Sequence, residues 1–145
     1  MKVEKHVDFI GLNYYFHAKF GGKLDFPKSD FGWEMDPESI YNVLMDLKRY
    51  NVPIYITEAG LSDEKDQYRA EYIRGLIKGT HKAIDKGTPI LGFMYWSLID
   101  NFEWAVGYQQ HFGLISFDME TQVRTIRESA YEYKKVCDSN ALILE

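Results

Sequence analysis

Three short apolar runs rich in β-favouring residues punctuate this chain, and each is followed by a stretch with helical spacing. The runs are Val7 to Tyr15 (VDFIGLNYY), Ile54 to Thr57, and Ile90 to Ser97 (ILGFMYWS). Between them, Ile40, Val43, Leu44 and Leu47 fall on one helical face, as do Tyr72, Ile73, Leu76, Ile77, Thr80, Ala83 and Ile84. Asp36-Pro37 reads as the N-cap and first residue of the first helix, and Asn51 as its left-handed end. Gly87 closes the second helix. Gly75 and Gly79 inside it each cost about 1 kcal/mol of propensity, which points to close packing. Thr125 with Glu128 reads as the capping box of a last helix, with Ile126, Ala130, Tyr133 and Val136 or Cys137 inward. Phe20 to Trp33, with Gly21, Gly22, Pro27 and Gly32, reads as a loop. The third run, apolar throughout, is expected to be buried on both faces. The order βαβαβα predicts an α/β chain with three parallel strands.

In such architectures chemistry gathers at the carboxyl ends of the strands, where the loops converge. The first strand delivers Asn13, Tyr14 and Tyr15 there, and the second delivers Thr57 and Glu58. The third delivers Trp96 and Ser97, followed by Asp100, Asn101, Glu103 and Trp104. Glu58 constrains function most, because three β-favouring residues lead straight into it and Gly60 turns the chain two positions later. A single strand-end Glu is better explained by helix capping or a surface Lys, and a single indole by the core. Carboxylates, amides, phenols and indoles at three successive strand ends suit a sugar instead. Planar carboxylates accept hydroxyl pairs, and indoles stack on the apolar face of a pyranose. Retaining glycoside hydrolysis uses two carboxyl groups about 5–5.5 Å apart.

Composition narrows the alternatives. A net charge of −5 disfavours nucleic acid and anionic membrane as partners. The longest apolar stretch, Pro89 to Ile99, is too short to span a bilayer. One cysteine, Cys137, makes no internal disulfide, and Met1 to His6 has no apolar signal core, so the cytoplasm is the expected location. His6, His17, His81 and His111 are scattered, there is no CxxC and no Gly-rich phosphate loop precedes a helix. Neither metal nor cofactor is expected. An aromatic content of 16% suits a cleft for ligands with an apolar face.

The run Tyr95-Trp96-Ser97-Leu98-Ile99-Asp100-Asn101-Phe102-Glu103-Trp104, then Gly107-Tyr108 and Phe112-Gly113-Leu114, resembles the C-terminal part of family 1 glycoside hydrolases. These are β-glucosidases and β-galactosidases. Asp8-Phe9-Ile10-Gly11-Leu12-Asn13-Tyr14-Tyr15, Gly32-Trp33-Glu34 and Tyr55-Ile56-Thr57-Glu58 match the same family in the same order. The resemblance runs from about Val7 to Val136. It implies a (β/α)₈ TIM barrel, a fold of about 250 residues or more. This chain would be its three C-terminal βα units, a single partial domain over residues 1–145.

The resemblance further implies that Glu58 is the nucleophile that forms a glycosyl-enzyme intermediate. Tyr15 would hydrogen-bond that carboxylate, with Asn13 beside it near the sugar 2-hydroxyl. Trp96 would lie under the sugar, Glu103 and Trp104 would grip its 4- and 6-hydroxyls, Phe112 would close that end, and Trp33 would line the aglycone side. A carboxylate at 103 would repel a sugar phosphate, so the implied substrate is an unphosphorylated β-glycoside. Two departures stand out. Ala59 replaces the family's usual Asn, removing a hydrogen-bonder, and His111 replaces an Arg whose loop contact it would weaken. The acid/base Asn-Glu-Pro segment belongs to barrel units this chain does not contain. The chain alone is therefore expected to be inactive. Three situations are open: an N-terminal barrel subunit completes it, it is a fragment, or it forms a non-barrel oligomer. A catalytically silent carbohydrate-binding or assembly module of the same fold is the competing reading.

Overall fold

The computed structural model describes residues 7–17 and 26–142. Strands β1 (Ile10–Tyr14), β2 (Ile54–Ala59) and β3 (Ile90–Tyr95) form one parallel sheet in the order β1-β2-β3. Helices α1 (Ile40–Leu47) and α2 (Arg69–Asp85) connect them, and α3 (Ser129–Ser139) follows. Two short strands, β4 (Ile115–Phe117) and β5 (Arg124–Ile126), pair antiparallel between β3 and α3. The parallel α/β expectation holds, and the hairpin is an addition to it.

Alternation along the strands decides the layering. Ile10, Leu12 and Tyr14 of β1 and Ile54, Ile56 and Ala59 of β2 pack on Ile40 and Leu44 of α1 and on Tyr72, Leu76 and Ala83 of α2. A second cluster joins Ile73 and Ile77 of α2 to Tyr95 and Leu114, with Phe93, Tyr133 and Val136 against it. The opposite face of the sheet carries Gly11, Thr57, Tyr55 and Gly92. A Cβ on Gly11 would lie 3.3 Å from the Thr57 side chain, and one on Gly92 would lie 2.8 Å from the Tyr55 ring. Phe9 sets its ring edge-on to Tyr55 at 5.3 Å on that side. The glycines of α2 serve close packing as expected: a Cβ on Gly75 would meet Pro37 at 2.5 Å, and one on Gly79 the Glu38 carbonyl at 2.8 Å.

Several local expectations change. The first strand begins at Ile10, leaving Val7 and Phe9 exposed. Strand β3 is not buried on both faces, since Leu91 and Met94 are 61% and 45% exposed. It is an edge strand among the described residues, and its packing partners gather around Phe93 and Tyr95. A 3₁₀ turn, Pro37–Ser39, precedes α1, and the Asp36 carboxylate accepts the Ser39 hydroxyl rather than a helix amide. Asn51 does adopt the left-handed conformation (φ 53°), as does Gly87 (φ 78°). The last helix starts at Ser129, not Thr125. Thr125 and Ile126 belong to β5, and Ile126 is 54% exposed rather than inward-facing. The α3 cap is non-local: the Asp66 carboxylate accepts Ser129 N–H at 2.9 Å and its hydroxyl at 2.6 Å. His6 and residues 18–25, including the Phe20–Gly22 part of the expected loop, lie outside the described residues.

Candidate active site

The β2 end is where the site is built. β1 and β2 pair with Asn13 opposite Glu58, after a register shift at Leu12/Asn13. Tyr15, just beyond β1, donates its hydroxyl to Glu58 Oε2 at 2.7 Å. Burial pushes the Tyr15 phenol far above its ordinary pKa, and the Glu58 hydrogen bond, the Glu58 charge and the more distant Glu103 charge push it the same way. The phenol thus remains a donor, and it feels both carboxylates. Its backbone is held from below, where the Tyr72 hydroxyl donates to the Tyr15 carbonyl at 2.6 Å. Asn13 is oriented too, because the Thr57 hydroxyl donates to its Oδ1 at 2.6 Å.

The β3 end is pressed onto the same place. Trp96 N–H donates to the Ala59 carbonyl at 2.9 Å. A Cβ on Gly60 would stand 1.7 Å from the Trp96 carbonyl oxygen, so only glycine permits this approach. The Trp96–Ser97 peptide is cis. The Trp96 indole N–H donates to Glu103 Oε1 at 3.1 Å, joining the β3 end to a second carboxylate. Ser97 N–H donates to the Phe112 carbonyl at 3.2 Å, which brings Phe112 alongside.

An aromatic wall completes the arrangement. Phe112, 2% exposed, meets Tyr15 edge-on at 5.8 Å, and Trp33 lies 5.7 Å from Tyr15. Trp33 stacks against Phe31 at 4.2 Å and Phe16 at 4.9 Å, both near-parallel. Phe31 and Phe16 are absent from the sequence expectations, although Phe31 precedes Trp33 by two residues.

The expected residues are not all gathered. Tyr15, Glu58, Asn13, Trp33, Trp96, Glu103 and Phe112 are tied in by the contacts above. Trp104 is 84% exposed at the start of the 3₁₀ turn Trp104–Val106, with its indole turned to solvent. Tyr14 points to the helix side, where its hydroxyl donates to the Asp36 carbonyl at 2.7 Å. Ser97 and Asn101 bond each other and the Ile99 carbonyl. Asp100 is buried against Arg127 and His111. Ala59 is fully buried in the core cluster. His111 keeps a loop contact, with Nδ1 at 3.2 Å from Asp100 and its carbonyl accepting from Arg69 at 2.8 Å. Among the described residues no group of three or more His, Cys, Asp and Glu is arranged to hold a metal, and no helix is long and apolar enough to cross a membrane.

Parallel βα units with carboxylates, indoles and phenols at the strand ends are the architecture of an α/β glycosidase. The chain belongs to glycosyl hydrolase family 1, whose model matches residues 1–142. It is 39% identical to β-glucosidase A of Thermotoga maritima, covering 97% of this chain and 36% of that protein. Against the β-galactosidase of Pyrococcus woesei it is 38% identical, covering 94% of this chain and 28% of that one. The structure of the Thermotoga maritima β-glucosidase in complex with glucoimidazole superposes with a TM-score of 0.89 at 39% identity, over 97% of this chain and 36% of that one. The chain thus spans about a third of the length of these relatives.

Proposed function

We propose that this chain is the nucleophile-bearing part of a retaining β-glycosidase acting on unphosphorylated β-glucosides or β-galactosides. It corresponds to the three C-terminal βα units of a (β/α)₈ barrel, one partial domain over residues 1–145. The observation that carries the reading is the 2.7 Å hydrogen bond from Tyr15 to Glu58 Oε2 at the carboxyl ends of adjacent parallel strands. One carboxylate oxygen is held and the other is left to attack an anomeric carbon. The C–O bond to the aglycone breaks as the Glu58 ester forms, and water later cleaves that ester. Asn13 serves the 2-hydroxyl, Trp96 lies beneath the ring, Glu103 takes the 4- and 6-hydroxyls, and Phe112 closes that end. Trp33, stacked against two phenylalanines, lines the aglycone side. The leaving oxygen needs an acid, which an N-terminal barrel part supplies. With one exposed cysteine, Cys137, a reducing cytoplasm is the matching compartment.

A 2-deoxy-2-fluoro-β-glucoside with a dinitrophenyl leaving group tests this, because such a leaving group departs without protonation. Mass spectrometry should find the sugar ester on the tryptic peptide Tyr50–Lys65, and none in Glu58→Gln. Sugar binding without any ester at Glu58 would instead support the silent binding module.

A further inference from the structure

Asp100 lies between Trp96 and Glu103 in the chain, and its side chain is 7% exposed. Its oxygens take Arg127 Nη1 at 3.1 Å, Arg127 Nη2 at 2.9 Å, the Gly113 amide at 2.8 Å and His111 Nδ1 at 3.2 Å. A carboxylate offers about four lone-pair sites. All are engaged, so Asp100 has no capacity left for a sugar hydroxyl, although it sits in the site's own turn. Its role must lie in what it holds.

The attachments are specific. Asp100 N–H donates to the Ile115 carbonyl at 3.0 Å, and Leu114 and Ile115 N–H donate back to the Ser97 and Leu98 carbonyls at 2.9 and 3.0 Å. Arg127 also grips the Gly113 carbonyl at 2.7 Å, and its own amide donates to Leu114. A Cβ on Gly113 would stand 2.3 Å from Asp100 N, so the two segments touch with no room for a side chain. Beyond Asp100 the turn loosens: Phe102 and Trp104 are 56% and 84% exposed. Glu103 is then tied by backbone bonds within its own turn, to Gly107 and Val106, and by the Trp96 indole.

We infer that Asp100, anchored on Arg127, is a positioning residue that fixes the turn between Trp96 and Glu103 and so holds the indole and the carboxylate together. The inference rests on the reading of that pair as the sugar-gripping part of a glycosidase site. Its measurement needs no sugar. Trp33, Trp96 and Trp104 are the three tryptophans, so three indole N–H resonances are expected, assignable by Trp→Phe variants. In Asp100→Asn and in Arg127→Lys, the Trp96 indole N–H should exchange with solvent about tenfold faster, the equivalent of one lost buried hydrogen bond. Its resonance should move toward that of exposed Trp104, while Trp33 stays in place. Arg127→Lys, which keeps charge but loses the two-pronged grip, decides the matter where Asp100→Asn does not fold. An unchanged Trp96 resonance overturns the inference, and so does an equal shift of Trp33 and Trp96, which marks general loosening. Absence of fluoro-glucoside labelling at Glu58 in the unaltered chain overturns the glycosidase reading instead.

Discussion

At the scale of single residues, the proposed chemistry turns on a phenol that stays protonated. Tyr15 is partly buried and faces an anionic partner, so its proton is bound more tightly than in a free tyrosine. Its donor function should persist past about pH 10, where an ordinary tyrosine ionises. Tyr15→Phe keeps the ring packing with Phe112 and Trp33 but removes the bond to Glu58. A hydrogen bond to a charged group contributes about 1.5–3 kcal/mol, so the labelling rate of Glu58 should fall about 10- to 100-fold. Rates followed by mass spectrometry, with circular dichroism unchanged, check this. An undiminished rate would detach Tyr15 from the chemistry.

At the scale of elements, α2 carries a prediction whose sign opposes propensity. Gly→Ala inside a helix ordinarily gains about 1 kcal/mol. At Gly79 the new methyl would lie 2.8 Å from both the Glu38 carbonyl and Ile40 Cγ2. Overpacking against backbone costs about 1–3 kcal/mol, so Gly79→Ala should lower the urea midpoint rather than raise it. The start of α3 carries another. Asp66 caps Ser129 and pairs with fully buried Arg69. Asp66→Asn should cost about 1–3 kcal/mol in urea unfolding, through the lost charge beside Arg69. These two elements also mark the limit of what the residues alone reveal. Gly75 and Gly79 announce close packing because their helical cost demands a return, and the strands announce themselves by β-branched and aromatic runs. The α3 start misleads because Thr125 and Glu128 match a local capping pattern. Asp118 instead accepts the Glu120 and Thr121 amides and turns a hairpin there. The true cap comes from Asp66, 63 residues away, which no local pattern encodes. In the same way the placing of Glu58, Tyr15 and Trp96 at strand ends is legible from the runs that precede them. The inward turn of Asp100 is not, because it depends on Arg127 at a separation of 27 residues.

At the scale of the whole molecule, stability and activity respond to different groups. Burial opposes ionisation of Asp100, but the bonds from Arg127, Gly113 and His111 outweigh it and hold its pKa below the usual carboxylate value. A depressed folded pKa means stability that is present above the unfolded value, near 4, and lost as pH falls through the folded one. The urea midpoint should therefore drop below about pH 4, and Asp100→Asn should shrink that acid slope while lowering the midpoint at neutral pH. Glu132, held by Lys135 and Arg74, keeps part of the slope in the variant. Activity depends on a group the proposed site does not contain. The chain spans about a third of its relatives' length, and the proposed site has a nucleophile and sugar-binding side chains but no acid. Acid assistance contributes on the order of 10²–10⁴-fold. Aglycones that leave unaided should therefore react at Glu58, whereas those requiring a proton should not. The 145-residue chain should burst with a dinitrophenyl β-glucoside and give no turnover of an alkyl β-glucoside. Adding an N-terminal barrel part should restore that turnover, with the stimulation largest for the poorest leaving group. Steady hydrolysis of the alkyl glucoside by the chain alone, lost in Glu58→Gln, would mean that an acid already sits within these residues. Glu103 would then be the first residue to test.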